Sequence, residues 1–423
     1  VPRELPPGFL VLPAPGDRTL GQLRKKLGLL VLHVLLVLPP ARAGALGQPY
    51  ARFRGWLEES LRGPARSEIR RAAERLDVLV PALAHKSGMV APELALGEAI
   101  PALIVAVARA LEVRGAVESL LWDVPITRLF DADGGRVITF DPPALGILFD
   151  GKDLELRTSD GAPYPLPTHA DPAPHPSVRV ERPFSPVRAL PSPSLALADV
   201  NPLCMLEEHP DKSGNAIDLG GRSVEEWTRA LAEALSLIDL GLPELASEIS
   251  SSLERIVPVG FEPERHLSAS YREAPGLVYL TLHPSALTLA EAIVHETQHG
   301  KLNVLRWFDP VLENGDTTWS KSAVRPDLRP LSGVLLAVHA FVPVAALHLA
   351  LARAGHPLAQ GPGFERRRAE VIAANRHGIE TLKQLGRPTQ VGERVLAGLY
   401  ELQAIAEAEA PAAKSDATIS SVG

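Results

Sequence analysis

Ten prolines fall within the thirty-three residues from 161 to 193. Proline has no backbone N–H and holds φ near −65°, so this stretch cannot continue a helix and is a poor candidate for a sheet. It reads as an extended connector between two larger parts. The chain has 423 residues, a length that suits two or three domains. The expected organisation is an N-terminal helical region over 1–122 and a small β-hairpin region over 123–160. The connector then covers 161–194, the main unit 195–408, and a disordered tail 409–423.

Apolar residues recur at helical spacing on either side of the connector. Leu20, Leu23, Leu27, Leu30, Val31 and Val34 form one stripe, and Ile100, Leu103, Ile104, Val107 and Leu111 form another. Short apolar runs at 126–130 and 137–140, and again at 147–149 and 154–156, suggest two β-hairpins. Asp131-x-Asp133-Gly134 between the first pair lacks the remaining ligands of a calcium loop and reads as a turn. Beyond the connector, Ser223 and Glu226 form a capping box for a helix over 224–240. Residues 267–271 and 277–282 read as short strands. Thr288, with Glu291, is placed to cap a helix over 289–307. An apolar helix over 331–351 and two further helices complete a fold that is mostly α with a small β portion.

Composition removes several classes of function. There are 43 basic and 50 acidic residues, for a net charge of −7. That offers no basic field for a phosphate backbone, so nucleic acid is not an expected partner. Cys204 is the single cysteine; no disulfide can form within the chain, and a reducing, cytoplasmic setting is expected. Arg24, Lys25 and Lys26 precede an apolar run over 27–38, followed by Ala41-Arg42-Ala43, in imitation of an export signal. The run is only about 12 residues, against roughly 20 for a bilayer span, so a buried core helix is expected and no membrane partner.

The chemistry concentrates at residues 295–299, which read His-Glu-Thr-Gln-His. On a helix, positions i and i+4 lie about 40° apart and one turn of roughly 5.4 Å along the axis. His295 and His299 can therefore hold one metal ion together, and Glu296 can reach that ion or a water bound to it. A chance match is the competing reading, but the motif sits on a capped amphipathic helix directly after a strand. A third ligand is needed for zinc or iron. His339, in the apolar helix over 331–351, is the candidate, against the alternative of a hydrogen-bonded core histidine. His348 lies about 180° from it in helical phase, so both cannot face one site.

The stretch over 195–351 resembles the HExxH-motif proteins of peptide modification. The signatures are NPLCMLEEHPDKSGNAIDLGG, VPVGFEPERHLSASYREAPGLVYLTLHPS, EAIVHETQHGKLNVL, DPVLENG and VRPDLRPLSGVLLAVHAFVPVA. The resemblance implies an iron(II)- and 2-oxoglutarate-dependent peptide β-hydroxylase that is helical rather than a double-stranded β-helix. It implies iron at His295 and His299, a further ligand from the later helix, and a peptide or protein substrate.

That chemistry also needs a cation for the distal carboxylate of 2-oxoglutarate. Arg325 and Arg329, stiffened by Pro326 and Pro330, are the expected pair, with Arg265 and Arg272 as weaker alternatives. A zinc peptidase is the alternative enzyme: Glu296 would be the base, and Tyr271 or Tyr279 would assist the oxyanion. Tyr271 and Trp319 are the candidate substrate contacts. In a third reading the protein is a peptide-binding scaffold that uses the strand over 277–282.

Overall fold

The computed structural model describes residues 11–38, 44–111, 116–131, 134–167, 170–188, 193–206, 214–321 and 328–409. About 52% of the protein is helix and 18% strand, in open sheets, which makes it mostly α with a small β portion, as expected. The expected tail beyond 409, the Ala41-Arg42-Ala43 motif and the loop carrying Arg325 lie outside the described residues.

Among the described residues, five α-helices come first: α1 (Thr19–Val37), α2 (Gly47–Ser60), α3 (Arg66–Ala72), α4 (Leu76–Lys86) and α5 (Pro92–Ala110). Leu23, Leu27, Val31 and Leu35 of α1 are fully buried, so the signal-like segment is a core helix. Nine short strands follow: β1 (Leu120–Trp122), β2 (Ile126–Asp131), β3 (Arg136–Ala144), β4 (Gly146–Phe149), β5 (Leu154–Arg157), β6 (Pro163–Leu166), β7 (Val178–Glu181), β8 (Phe184–Pro186) and β9 (Ser194–Ala196). Both expected hairpins are present, β2 with β3 and β4 with β5. Asp131 is a structural anchor: it accepts from Arg136 Nε at 2.7 Å and from the Gly134 amide at 3.1 Å.

The proline-rich stretch corrects the expectation drawn from it. It contains β6, β7 and β8, and each lies at the edge of its sheet. An edge strand pairs on one side only, so a missing N–H on the other side breaks no ladder. Pro163, Pro165 and Pro186 lie within these strands.

The remaining elements are α6 (Val224–Gly241), α7 (Pro243–Ser252), β10 (Arg255–Phe261), β11 (Ser268–Ala269), β12 (Leu277–Leu282), α8 (Ala286–Arg306), β13 (Trp319–Lys321), β14 (Leu328–Pro330), α9 (Leu331–Arg353), α10 (Pro362–Leu385) and α11 (Gln390–Ala408). The capping box at Ser223 forms as expected. The sequence reading did not include β10, whose Pro258 is uncommon inside a sheet. Its pairing with β9 stops at Ile256, so the proline falls beyond that ladder.

One sheet positions the site. Its order is β11-β12-β10-β9-β8, parallel through β12, β10 and β9, with antiparallel β11 and β8 at its edges. β12 is wholly buried between β10 and β11, so it cannot take up a peptide as the scaffold reading required. The edges are β11, beside α8, and β8. Helix α8 leaves β12 through a tight turn and packs on α6, α9 and the sheet. Helix α9 is long and apolar enough to cross a membrane, yet 72% of its apolar window is buried inside the protein. It serves as the central core helix.

Candidate functional site

Ser285, rather than Thr288, caps α8: its hydroxyl accepts from the Thr288 amide at 3.3 Å. This start sets the helical phase that turns His295 and His299 to one side. Their Nε2 atoms stand 2.8 Å apart, with the rings edge-on at 4.3 Å between centroids. Phe341 of α9 covers His295 at 4.4 Å. Both Nδ1 atoms are buried without a hydrogen-bond partner.

Burial, reinforced by His299 and Arg367, holds His295 well below the usual imidazole range. Burial also lowers His299, against the opposing pull of Glu296. Both rings are therefore neutral at neutral pH, the form that binds metal. Two Nε2 atoms this close can share one proton or one cation.

Glu296 is buried and fully engaged. Ser268 Oγ donates to Oε1 and Ser270 Oγ to Oε2, each at 2.6 Å. The two serines alternate along β11 and its continuation, so both point toward α8. The sequence reading missed them; the only signal was their spacing of two in a predicted strand.

His339 is fully buried where α9 crosses α8. Burial takes its ring down to about 3, assisted by Lys301 and His299 and opposed by a hydrogen bond to the Gln298 main chain. Its neighbours thus place it level with His299. Among the described residues, no group of three or more His, Cys, Asp or Glu side chains is gathered to hold a metal ion. The structure brings together His295 and His299 and does not join His339 to them. The donor chemistry of the pair still fits a metal: neutral rings, Nε2 atoms in contact, and apolar walls.

The other candidates are dispersed. Arg329 is half-buried on β14, with Gly333 of α9 packed beside its aliphatic stem. Tyr271 directs its hydroxyl to the carbonyls of Cys204 and Leu206, each at 3.1 Å, and takes a bond from Asn215 Nδ2 at 2.6 Å. It ties down the segment that carries Cys204, whose thiol burial and then Asp199 push up to about 11. Tyr279 is fully buried and bonded to Asp199 at 2.7 Å, so its hydroxyl is not available to an oxyanion. Trp319 is 58% exposed on β13.

A second cluster lies one turn before His295. Glu291 accepts from Arg367 Nη2 at 2.8 Å through one oxygen and meets His348 Nε2 at 2.7 Å through the other. Burial alone would raise the Glu291 carboxyl, but His348 and Arg367 outweigh it and hold it low. Glu291 is therefore drawn to α9 and α10 and not into the expected capping box.

Compared with known proteins, the chain matches no protein-family model and no curated protein.

Proposed function

We propose that this chain is an iron(II)- and 2-oxoglutarate-dependent oxygenase that hydroxylates the β-carbon of a side chain in a peptide or protein. The observation that carries the reading is the pairing of two neutral imidazoles on α8 beside a glutamate whose two oxygens are both engaged. His295 and His299 would hold the metal, with His339 as the proposed third donor. Glu296, gripped by Ser268 and Ser270, is a poor general base and a good strut between α8 and β11. Bound iron would supply the oxygen chemistry that side chains lack. One oxygen atom enters the substrate C–H bond and the other enters 2-oxoglutarate, which leaves as succinate and carbon dioxide.

The chain's own residues shape that reaction. Phe341 of α9 covers one side of His295 and shields that side of the imidazole pair from water. The edge at β11 offers main-chain hydrogen bonds to an extended peptide, and Trp319 offers an exposed aromatic wall. Arg329, with Arg325, is proposed to meet the distal carboxylate of 2-oxoglutarate. The resemblance of residues 195–351 to HExxH-motif peptide-modification proteins supports the same reading. The single, half-buried thiol of Cys204 and the buried α9 suit a cytoplasmic setting.

A zinc peptidase is the second reading, favoured by the edge at β11 beside an HExxH helix. It requires Glu296 to release both serines and act as base. The test is anaerobic loading with iron(II), then addition of 2-oxoglutarate, oxygen and candidate peptides. Succinate and a peptide heavier by one oxygen are expected. Peptide cleavage by the zinc-loaded chain without succinate would replace the first reading with the second.

A further inference from the structure

A buried asparagine follows the histidine pair at the pair's own spacing. Glu291, His295, His299 and Asn303 stand four residues apart along α8, so each neighbours the next on the helix surface, about one turn further on. Asn303 is 6% exposed.

The ring protons of the pair can be counted. Each neutral ring carries one. With the Nε2 atoms 2.8 Å apart, one ring donates from Nε2 and has a lone pair on Nδ1. The other accepts on Nε2 and carries its proton on Nδ1. A buried N–H without an acceptor is costly, so the surroundings of the two Nδ1 atoms decide which ring is which.

Those surroundings differ. Among the described residues, neither Nδ1 has a hydrogen-bond partner, and the Oδ1 of Asn303 is also buried without a donor. Helical side chains lean back over the preceding turn, which carries the Asn303 amide toward the His299 ring. At the other end of the stripe, both oxygens of Glu291 are already engaged by His348 and Arg367. Gln298 Oε1 lacks a donor as well, but Gln298 lies about 100° around α8 from His299. The unmatched acceptor on the stripe is therefore beside His299.

We propose that Asn303 is the positioning residue of His299: its Oδ1 takes the Nδ1 proton and keeps the Nε2 lone pair turned toward His295 and the metal. The proposal rests on the reading of the pair as metal donors. His299 can then take a metal ion without changing tautomer, whereas His295 must first give up its Nε2 proton. A hydrogen bond from the far ring nitrogen to a fixed acceptor is the usual support of a metal-bound imidazole.

The test is proton–nitrogen NMR of the metal-free full chain, isotopically labelled at histidine. The His299 signals are those absent in His299→Gln and present in His295→Gln. His299 is expected as the Nδ1–H tautomer in the wild type, and as the Nε2–H tautomer or a mixture in Asn303→Leu, which removes the acceptor at similar volume. Zinc affinity, read by competition with a chelator, should fall about ten- to a hundredfold in Asn303→Leu and return in Asn303→Asp, which keeps an acceptor. An Nε2–H tautomer in the wild type, a tautomer unmoved in Asn303→Leu, or equal loss of zinc affinity in both variants overturns the proposal. The tautomer is read without metal or turnover, whereas succinate formation by the iron-loaded chain reads the oxygenase, so either can fail while the other stands.

Discussion

Replacing Glu296 by glutamine keeps the side chain's shape and removes its charge. Ser268 and Ser270 can bond an amide nearly as well as a carboxylate, so the fold should survive. As a strut, Glu296→Gln should retain succinate formation within about tenfold. As a general base, its loss would cost about 10²–10⁴ in rate, and a drop of that size with metal content unchanged would favour the peptidase. His295→Ala and His299→Ala should each abolish tight iron or zinc binding, measured by elemental analysis; full stoichiometry in both variants would remove this site. The pair was legible because helical geometry alone brings i and i+4 together. The serines and Arg367 were not, because they arrive from other elements and only tertiary packing sets their distance. His339 lies between these cases: apolar neighbours revealed its burial, but nothing in the sequence fixes which way a buried ring turns.

The contact between α9 and α10 depends on a residue without a side chain. A Cβ at Gly378 would lie 2.5 Å from Val338 Cγ2, and a buried β-branched valine has little freedom to move. Gly378→Ala should therefore destabilise by about 1–3 kcal/mol, although alanine favours a helix by roughly 1 kcal/mol over glycine; an unchanged urea midpoint would refute this. Glu291 joins α8 to the same two helices. Its folded carboxyl lies below the unfolded value of about 4.5, so the folded state takes up its proton less readily. The resulting stability is full above that value and is lost as pH falls through the folded one. Glu291→Gln should flatten the acid limb of a stability–pH curve, measured by urea unfolding, and cost about 2 kcal/mol at neutral pH. Helices were the most legible elements, since a 3.6-residue period persists over many turns. Strands of three or four residues carry too few alternations, and the rule against proline in sheets holds only for strands paired on both sides. The start of α8 was misread because Ser285-x-x-Thr288 and Thr288-x-x-Glu291 overlap as capping frames, and distant partners claimed Glu291.

Across the whole molecule, the N-terminal helices share a core with the site-bearing elements. Leu27 of α1 and Leu103 of α5 belong to the same buried cluster as Leu302 of α8 and Leu335 of α9. A buried ion pair adds a specific link: Asp77 of α4 bonds Arg255 of β10 at 2.7 Å, each side chain 5% exposed. Asp77→Ala strands a buried charge and should cost about 3–5 kcal/mol, while a joint change to Asp77→Leu and Arg255→Met should restore much of that loss. Equal losses in the single and double variants, by denaturant titration, would contradict the link. This union was not legible, because the proline-rich stretch looked like a spacer between independent parts. The edges of the central sheet differ in a way that bears on unwanted assembly. An open strand edge invites any extended chain to add to it. At β8 the final residue is Pro186, which cannot donate to an incoming strand. At β11 there is no proline, and the two serines beside Glu296 face inward. Any addition of an extended chain is thereby biased to the border that adjoins the histidine pair, and a chain seated there would guard the protein against self-association.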